Sequence, residues 1–384
     1  MNLFSKFSAF FFFYFSLVAI YIVFLPKILH NLGYSSFQIG FIFSLGPLMR
    51  FFIPFFFLQK YNLNKIVFHG SLLLALASSI MFYFTIHNFY LFIFPNLLLG
   101  IAFGIMLPYV DTFALSVLKK ERYGRSRLFG SLGFMLFSLV LARNLSNYSV
   151  GLDYFLFSTI LVLIFSILIT TSKDEFHNNI KTISEKFRFK KALYLWISLF
   201  LMQMSFGIFY NFFTIYETSH GISLKTVSYL WAFSIICEIT LFYFQSSFFK
   251  RFELLTLIKF AVFTAIVRWL LLYLFPNSIF VSYLSQSLHA FSFALHHTAA
   301  ISYLYNIYEN KKLSSQFYYG LSFGLGGFSG SLFAGYFYGN NIFLYAALIA
   351  SLSFLFLLLR TKVPTTPQKP RKVGLFEKKV RKVS

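Results

Sequence analysis

Apolar runs of about 20 residues, each long enough to cross the hydrocarbon core of a bilayer as a helix, follow one another along almost the whole chain and are parted by short polar turns. Reading the runs between turn signals predicts helices over 8–29, 37–58, 66–86, 89–118, 128–142 and 151–171, then over 192–216, 226–249, 254–275, 279–307, 316–338 and 342–359. The longest polar interruption, Ser172 to Lys191, falls between the sixth and seventh runs. The expected architecture is therefore an all-α membrane protein with twelve transmembrane helices in two bundles of six, spanning 1–171 and 192–360, joined by a linker over 172–191. The tail, 361–384, holds Pro364, Pro367, Pro370 and eight lysines and arginines. It is expected to be disordered and to lie against anionic lipid.

Composition supports a bilayer as the solvent. With 58% hydrophobic and 11% charged residues and a mean hydropathy of +0.72, too little polar surface remains to cover a water-soluble protein of this size. The net charge of +22 is spread over loops and not gathered in one patch, which argues against nucleic acid as a partner. Its distribution is informative. The amino terminus, every second loop and the tail hold 27 of the 33 basic residues, and the intervening loops hold only Lys27, Arg143 and Lys225. Basic loops resist translocation, so both termini are expected in the cytoplasm of a bacterial inner membrane. The first run ends at Pro26 and Lys27 without a small-residue cleavage site and is expected to be a retained helix. Cys237 is the single cysteine, which excludes an intramolecular disulfide and a cysteine-based metal cluster. There is no HExxH sequence and no mid-membrane carboxylate beside His296 and His297, so neither an enzyme nor a metal or other cofactor is expected.

The two halves resemble each other weakly. An offset of 190 places Phe129-Gly130-Ser131-Leu132-Gly133-Phe134 on Tyr319-Gly320-Leu321-Ser322-Phe323-Gly324, and an offset of 188 places Gly33 and Ser35 on Gly221 and Ser223. In that second register Arg50 falls on Glu238, so a base and an acid hold equivalent mid-membrane positions. Gly100, Gly104, Gly320, Gly324, Gly327 and Gly335 allow close helix approach.

Ionisable residues inside the runs are the candidate chemistry, because a charge at the bilayer centre costs at least about 2.5 kcal/mol and needs a partner or a wet cavity. Glu238 shares a helical face with Trp231, Ser234 and Gln245; Ser282, Ser285, His289, Ser292 and His296 form a stripe on helix ten; Gln203, Gly207, Tyr210, Thr214 and Glu217 form one on helix seven, beside Asn211. These faces are expected to line one cavity. A carboxylate near a cation is stable either ionised and paired or protonated and free, which is what a coupling-proton site requires. Arg268 and Arg50 are both open as partners of Glu238, and a permanent structural ion pair is the alternative. Asp111 lies one loop from Arg122, Arg125 and Arg127, where a gate or salt bridge is expected.

The run Tyr123-Gly124-Arg125-Ser126-Arg127-Leu128-Phe129-Gly130-Ser131 resembles the YGxxRLWGS signature of the phenylpropionate:proton symporter branch of the major facilitator superfamily. Tyr229-Leu230-Trp231 with Glu238, then Arg268-Trp269, then Leu288-His289 with His297-Thr298-Ala299-Ala300, resemble the same branch in order. The Glu, Arg and His on helices eight, nine and ten also look like the coupling network of lactose permease, although its second helix-ten carboxylate is replaced here by Ser292 and Phe293. The resemblance implies the major facilitator fold and proton-coupled uptake of a small organic solute by a monomer, with an aromatic carboxylate as cargo and a nucleoside or sugar, or efflux, as the alternative. Glu238, Arg268, His289 and His297 would then couple the proton, and Arg50, Gln203, Tyr210, Asn211, Trp231 and His296 would meet the substrate. Helical phase favours His296 over His297 on the polar stripe, and the resemblance favours His297.

Overall fold

The computed structural model describes residues 2–59, 64–171 and 189–359. The linker expected over 172–191 and the tail expected over 361–384 fall almost wholly outside them. Among the described residues the chain forms twelve helical runs: α1 (Leu3–Asn31), α2 (Ser36–Gln59), α3 (Lys65–Thr85), α4 (Phe89–Leu118), α5 (Arg122–Asn144), α6 (Tyr148–Thr170), α7 (Phe189–Ser219), α8 (Leu224–Arg251), α9 (Leu254–Leu274), α10 (Ile279–Ser287, continued through Ala290–Leu295 into His296–Ile307), α11 (Lys311–Tyr318, continued through Tyr319–Gly326 into Gly327–Phe337) and α12 (Ile342–Leu358). The first nine are each long and apolar enough to cross a membrane, although α1 carries a π-helical turn over Ile20–Phe24. The next two are broken by π-helical turns, and α12 is 17 residues long. Helices are what a lipid solvent demands, since each backbone N–H and C=O must be satisfied within its own segment.

Side chains at the turns fix where these helices start. Asn64, Asn88, Asn147, Ser278 and Asn310 each accept from the backbone N–H three residues on, satisfying a donor that the first turn leaves open. The turns before α2 and α8 repeat each other in detail. Gly33 and Gly221 are the two described glycines with positive φ, at 88° and 86°, and they stand at the 188-residue offset. Ser35 Oγ accepts from the N–H of Gln38, and Ser223 Oγ accepts from the N–H of Thr226 at the same offset. Arg50 and Glu238 therefore lie equally far from the starts of α2 and α8.

Helicity is continuous from α4 into α5, yet Asp111 meets Arg127 at 3.4 Å. Sixteen residues of straight helix would separate them by about 24 Å. The chain therefore doubles back between them, and α4 and α5 are two spans. α5 begins at Arg122, earlier than the expected 128, because the basic residues that end an apolar run can still be helical where long side chains reach the membrane surface.

Helices of the first half pack on those of the second along three seams, α1 on α7, α2 on α11 and α5 on α8. With an even number of runs, the start of α1 and the end of α12 lie on one face of the bundle, here called the terminal face, and the opposite one is the far face. The seams close toward the far face. The α1 contacts with α7 come from its last turns, Ile20–Phe24 and Leu25–Asn31. Gly40 of α2 meets Gly335 of α11 backbone to backbone, and a Cβ on Gly40 would stand 2.5 Å from the Ser331 carbonyl oxygen. Between α5 and α8, Phe134 touches Trp231 with ring centroids 6.1 Å apart. Toward the terminal face, the inner side chains of Arg50, Arg127, His297 and Phe323 are half-buried and Tyr319 is exposed.

Candidate functional site

Arg268 organises the interior of the second half. It sits on α9, wholly buried, and its guanidinium lies over the rings of Phe209 at 4.2 Å, Trp269 at 4.5 Å and Phe206 at 5.5 Å. Its Nη2 donates to Gln286 Oε1 at 2.9 Å, and its Nη1 donates to His289 Nδ1 at 2.9 Å. An arginine can only donate, so His289 accepts through Nδ1 and is neutral, with its proton on Nε2. That Nε2 faces Glu238 Oε2 at 3.9 Å. The three residues thus form a chain from α9 through α10 to α8, and Glu238 is its open end, with 18% of its side chain exposed against 4% for His289.

The sequence leaves the partner of Glu238 open between Arg268, Arg50 and neither. Neither Arg268 nor Arg50 pairs with it, and His289 stands between Glu238 and Arg268. The difference matters chemically. Three aromatic faces and a glutamine already hold the Arg268 cation, so protonating Glu238 does not strand a bare buried charge. Gln286 and the cage residues Phe206 and Phe209 were not singled out from the sequence. Gln286 carried a usable signal, as a polar residue one turn before His289 in an apolar run.

The two adjacent histidines separate clearly. From His289, seven residues of α-helix lead back to the same face, which is why His296 shares the polar stripe on paper. The π segment Ala290–Leu295 widens that turn and advances the phase by about one residue. His289, Phe293 and His297 consequently stack in succession, the first pair at 5.1 Å and 8° between ring planes and the second at 6.4 Å and 18°. His297 also bonds the hydroxyls of Tyr318 (Nδ1, 3.2 Å) and Tyr319 (Nε2, 3.4 Å). His296 is buried, 1% exposed, and neither ring nitrogen has a partner among the described residues. The ring stack passes it by.

Other candidates divide the same way. Tyr210 stacks on Trp231 with 17° between planes, and its surroundings include the charges of Glu238, Arg268 and Arg50. Trp231 donates from Nε1 to Thr214 at 3.1 Å. Asn211 instead donates to Ser331 of α11, and Gln203 packs against Gly326 of the same helix, so both hold α7 to α11. The side chain of Gln245 lies outside the described residues. On the first half, Arg127 pairs with Asp111, which also accepts from Tyr123 at 3.0 Å, and its guanidinium covers Phe15 at 4.2 Å. Its charge also reaches Glu238 and His297 across the seam. Arg125 is exposed and outside that pair. Arg50 is half-buried, close to Tyr14, Tyr21 and Tyr210, and has no hydrogen-bond or ion-pair partner among the described residues. No group of three metal-ligating side chains occurs among the described residues.

Among the described residues the arrangement is a buried cation linked through a histidine to a partly exposed carboxyl in one half, with an unpaired cation in the other. The chain is 25% identical over 285 residues to the uncharacterized transporter YwbF of Bacillus subtilis (strain 168), covering 71% of this chain and 70% of that protein. It is 23% identical over 367 residues to a probable 3-phenylpropionic acid transporter of Escherichia coli (strain K12), covering 88% and 93%. The fold matches that of the nucleoside transporter NupG with a TM-score of 0.77 at 15% identity, over 94% of this chain and 99% of the other. The model of the MFS_1 like family matches residues 4–347, and the chain belongs to that family of major facilitator transporters, not to an enzyme family.

Proposed function

We propose that the protein is a proton-coupled uptake carrier for a small aromatic carboxylate, working by alternating access between the bundles 1–171 and 192–360. The observation that carries this reading is the chain Arg268–His289–Glu238, in which the carboxyl is the most exposed member. Glu238 binds the coupling proton, His289 relays the balance of charge to Arg268, and His297 extends the ring stack toward the terminal face. Arg50, the unpaired cation opposite, binds the substrate carboxylate, while Tyr210, Trp231 and Phe293 offer flat apolar faces to its ring. The similarity to a probable 3-phenylpropionic acid transporter supports the substrate class. The charge bias of the loops supports an orientation in a bacterial inner membrane with both termini in the cytoplasm. On that topology the far face is periplasmic, and the closed seams describe a carrier open to the cytoplasm.

The test is uptake of radiolabelled 3-phenylpropionate by cells, with and without a protonophore. Wild type accumulates the acid, and the protonophore abolishes accumulation. Glu238→Gln loses accumulation but keeps exchange of internal for external substrate, since exchange moves no net proton. Undiminished accumulation in the Gln variant sinks the proposal.

A further inference from the structure

A second buried carboxyl, outside the Glu238 chain, sits near the far end of α7. Glu217 is 0% exposed. Its Oε2 accepts from Ser282 Oγ of α10 at 3.0 Å, and its Oε1 has no partner among the described residues. No lysine, arginine or histidine pairs with it among the described residues. Around this end of α7 the titratable groups are the phenols of Tyr216 on the same helix, Tyr273 on α9 and Tyr338 after α11, and the imidazole of His220. His220 is turned to the Tyr216 carbonyl at 2.8 Å. α8 brings Lys225, which is exposed and acts on Tyr229 beside Arg143, and α10 brings Ser282. From α1, the last turns Leu25–Asn31 pack on α7 without supplying an ion pair to Glu217.

An ionised carboxylate in such a place would be a desolvated charge with one hydrogen bond and no counter-ion, the least favourable state a side chain can be given. A protonated one is a neutral group, and Ser282 then serves as its hydrogen-bond partner. We propose that Glu217 is a second proton-bearing carboxyl of the carrier, loaded from the far side, and that its protonation is a condition for closing the far face. When α1 and α7 part at their far ends, the carboxylate meets water and takes a proton from it. When they close, the group is buried neutral, and the same proton returns to far-side water at the next opening. Closure is thereby favoured at acidic far-side pH and opposed at alkaline pH, where Glu217 stays ionised. Transport through Glu238 then has a gate sensitive to the pH of the side from which substrate enters. This inference rests on the carrier reading above and uses a residue that reading does not.

Infrared difference spectra of purified wild type and Glu217→Gln at neutral pH test the protonation alone. A protonated-carboxyl C=O band is expected in the wild-type-minus-variant difference, where any contribution of Glu238 cancels, and its absence from that difference overturns the proposal. Influx measured against external pH tests the gate. Wild-type influx falls as external pH rises, whereas Glu217→Gln, permanently neutral and still able to bond Ser282, loses at least half of that fall. A variant profile superimposable on wild type overturns the gate, because a merely structural role would leave the profile unchanged. Failure of the Glu238 reading would show separately, as protonophore-insensitive accumulation in wild type, and would leave the infrared result standing.

Discussion

His289 Nδ1 lies 2.9 Å from Arg268 Nη1, and because the guanidinium has no lone pair to offer, this contact sets the tautomer of the imidazole. Nitrogen-15 spectra of histidine-labelled protein should therefore show His289 neutral and protonated on Nε2. The contact also sets a stability relation. His289→Leu removes one of two acceptors from a wholly buried cation, and a hydrogen bond to a charged group contributes about 1.5–3 kcal/mol. Thermal unfolding in detergent should register that loss. Replacing both residues, Arg268→Met with His289→Leu, should cost no more than His289→Leu alone, because the stranded charge goes too. Additive losses would show that the two side chains do not depend on each other.

The paired turns offer a cleaner backbone test. Gly33 and Gly221 have φ of 88° and 86°, and a Cβ at either would meet nothing within 4 Å. Substitution by alanine therefore carries the left-handed backbone penalty alone, about 1–2 kcal/mol. Gly33→Ala and Gly221→Ala should lower the unfolding midpoint by similar amounts, and the double variant by their sum, since the turns belong to different halves. A large inequality would mean that the two turns are not structural equivalents.

How far the sequence spoke for the structure follows from which forces act locally. The paired glycines, Ser35 and Ser223 are turn chemistry, which depends on neighbours in the chain, and the equivalence of Arg50 and Glu238 followed from them. Glu238, Arg268 and His289 stood out because charge is rare in lipid. Helical phase could not choose His297 over His296, as the resemblance did, because a π turn is a product of packing between helices and leaves no residue signature at Ala290–Leu295. Asn211 and Gln203 were hidden for a related reason. A polar stripe marks a face that avoids lipid, and a face pressed against α11 avoids lipid as well as one lining a cavity does.

The Asp111–Arg127 pair illustrates how exposure limits energy. The contact is 3.4 Å, but the two side chains keep 26% and 32% of their surface. Exposed pairs contribute about 0–1 kcal/mol. Asp111→Asn should thus leave the unfolding midpoint nearly unchanged, and 0.5 M salt should shrink even that difference. Its effect belongs to transport instead. Freed from Asp111, Arg127 is available to Glu238, on which its charge already acts, so uptake at saturating substrate should fall several-fold while the fold survives. A drop in stability of more than about 2 kcal/mol would show that the pair is better shielded than its exposure indicates.

The far-face seam gives the most direct handle on conformation. Gly40 and Gly335 let α2 and α11 touch backbone to backbone, and a Cβ on Gly40 would stand 2.5 Å from the Ser331 carbonyl oxygen and 2.6 Å from Gly335 Cα. These are main-chain atoms, so no rotamer change can make room, and the helices themselves must part. Each half retains its own packing, so Gly40→Val should fold yet disfavour the closed far face. The consequence is measurable at Phe134, which is 7% exposed and shielded by Trp231 of the other half. In a Cys237→Ser background, a cysteine at position 134 should react slowly with a membrane-impermeant maleimide applied from the far side. Adding Gly40→Val should accelerate that reaction at least tenfold and reduce uptake by a similar factor, because a carrier held open on one side cannot complete its cycle. Equal labelling rates with normal uptake would mean that α2 and α11 do not form the far-side closure.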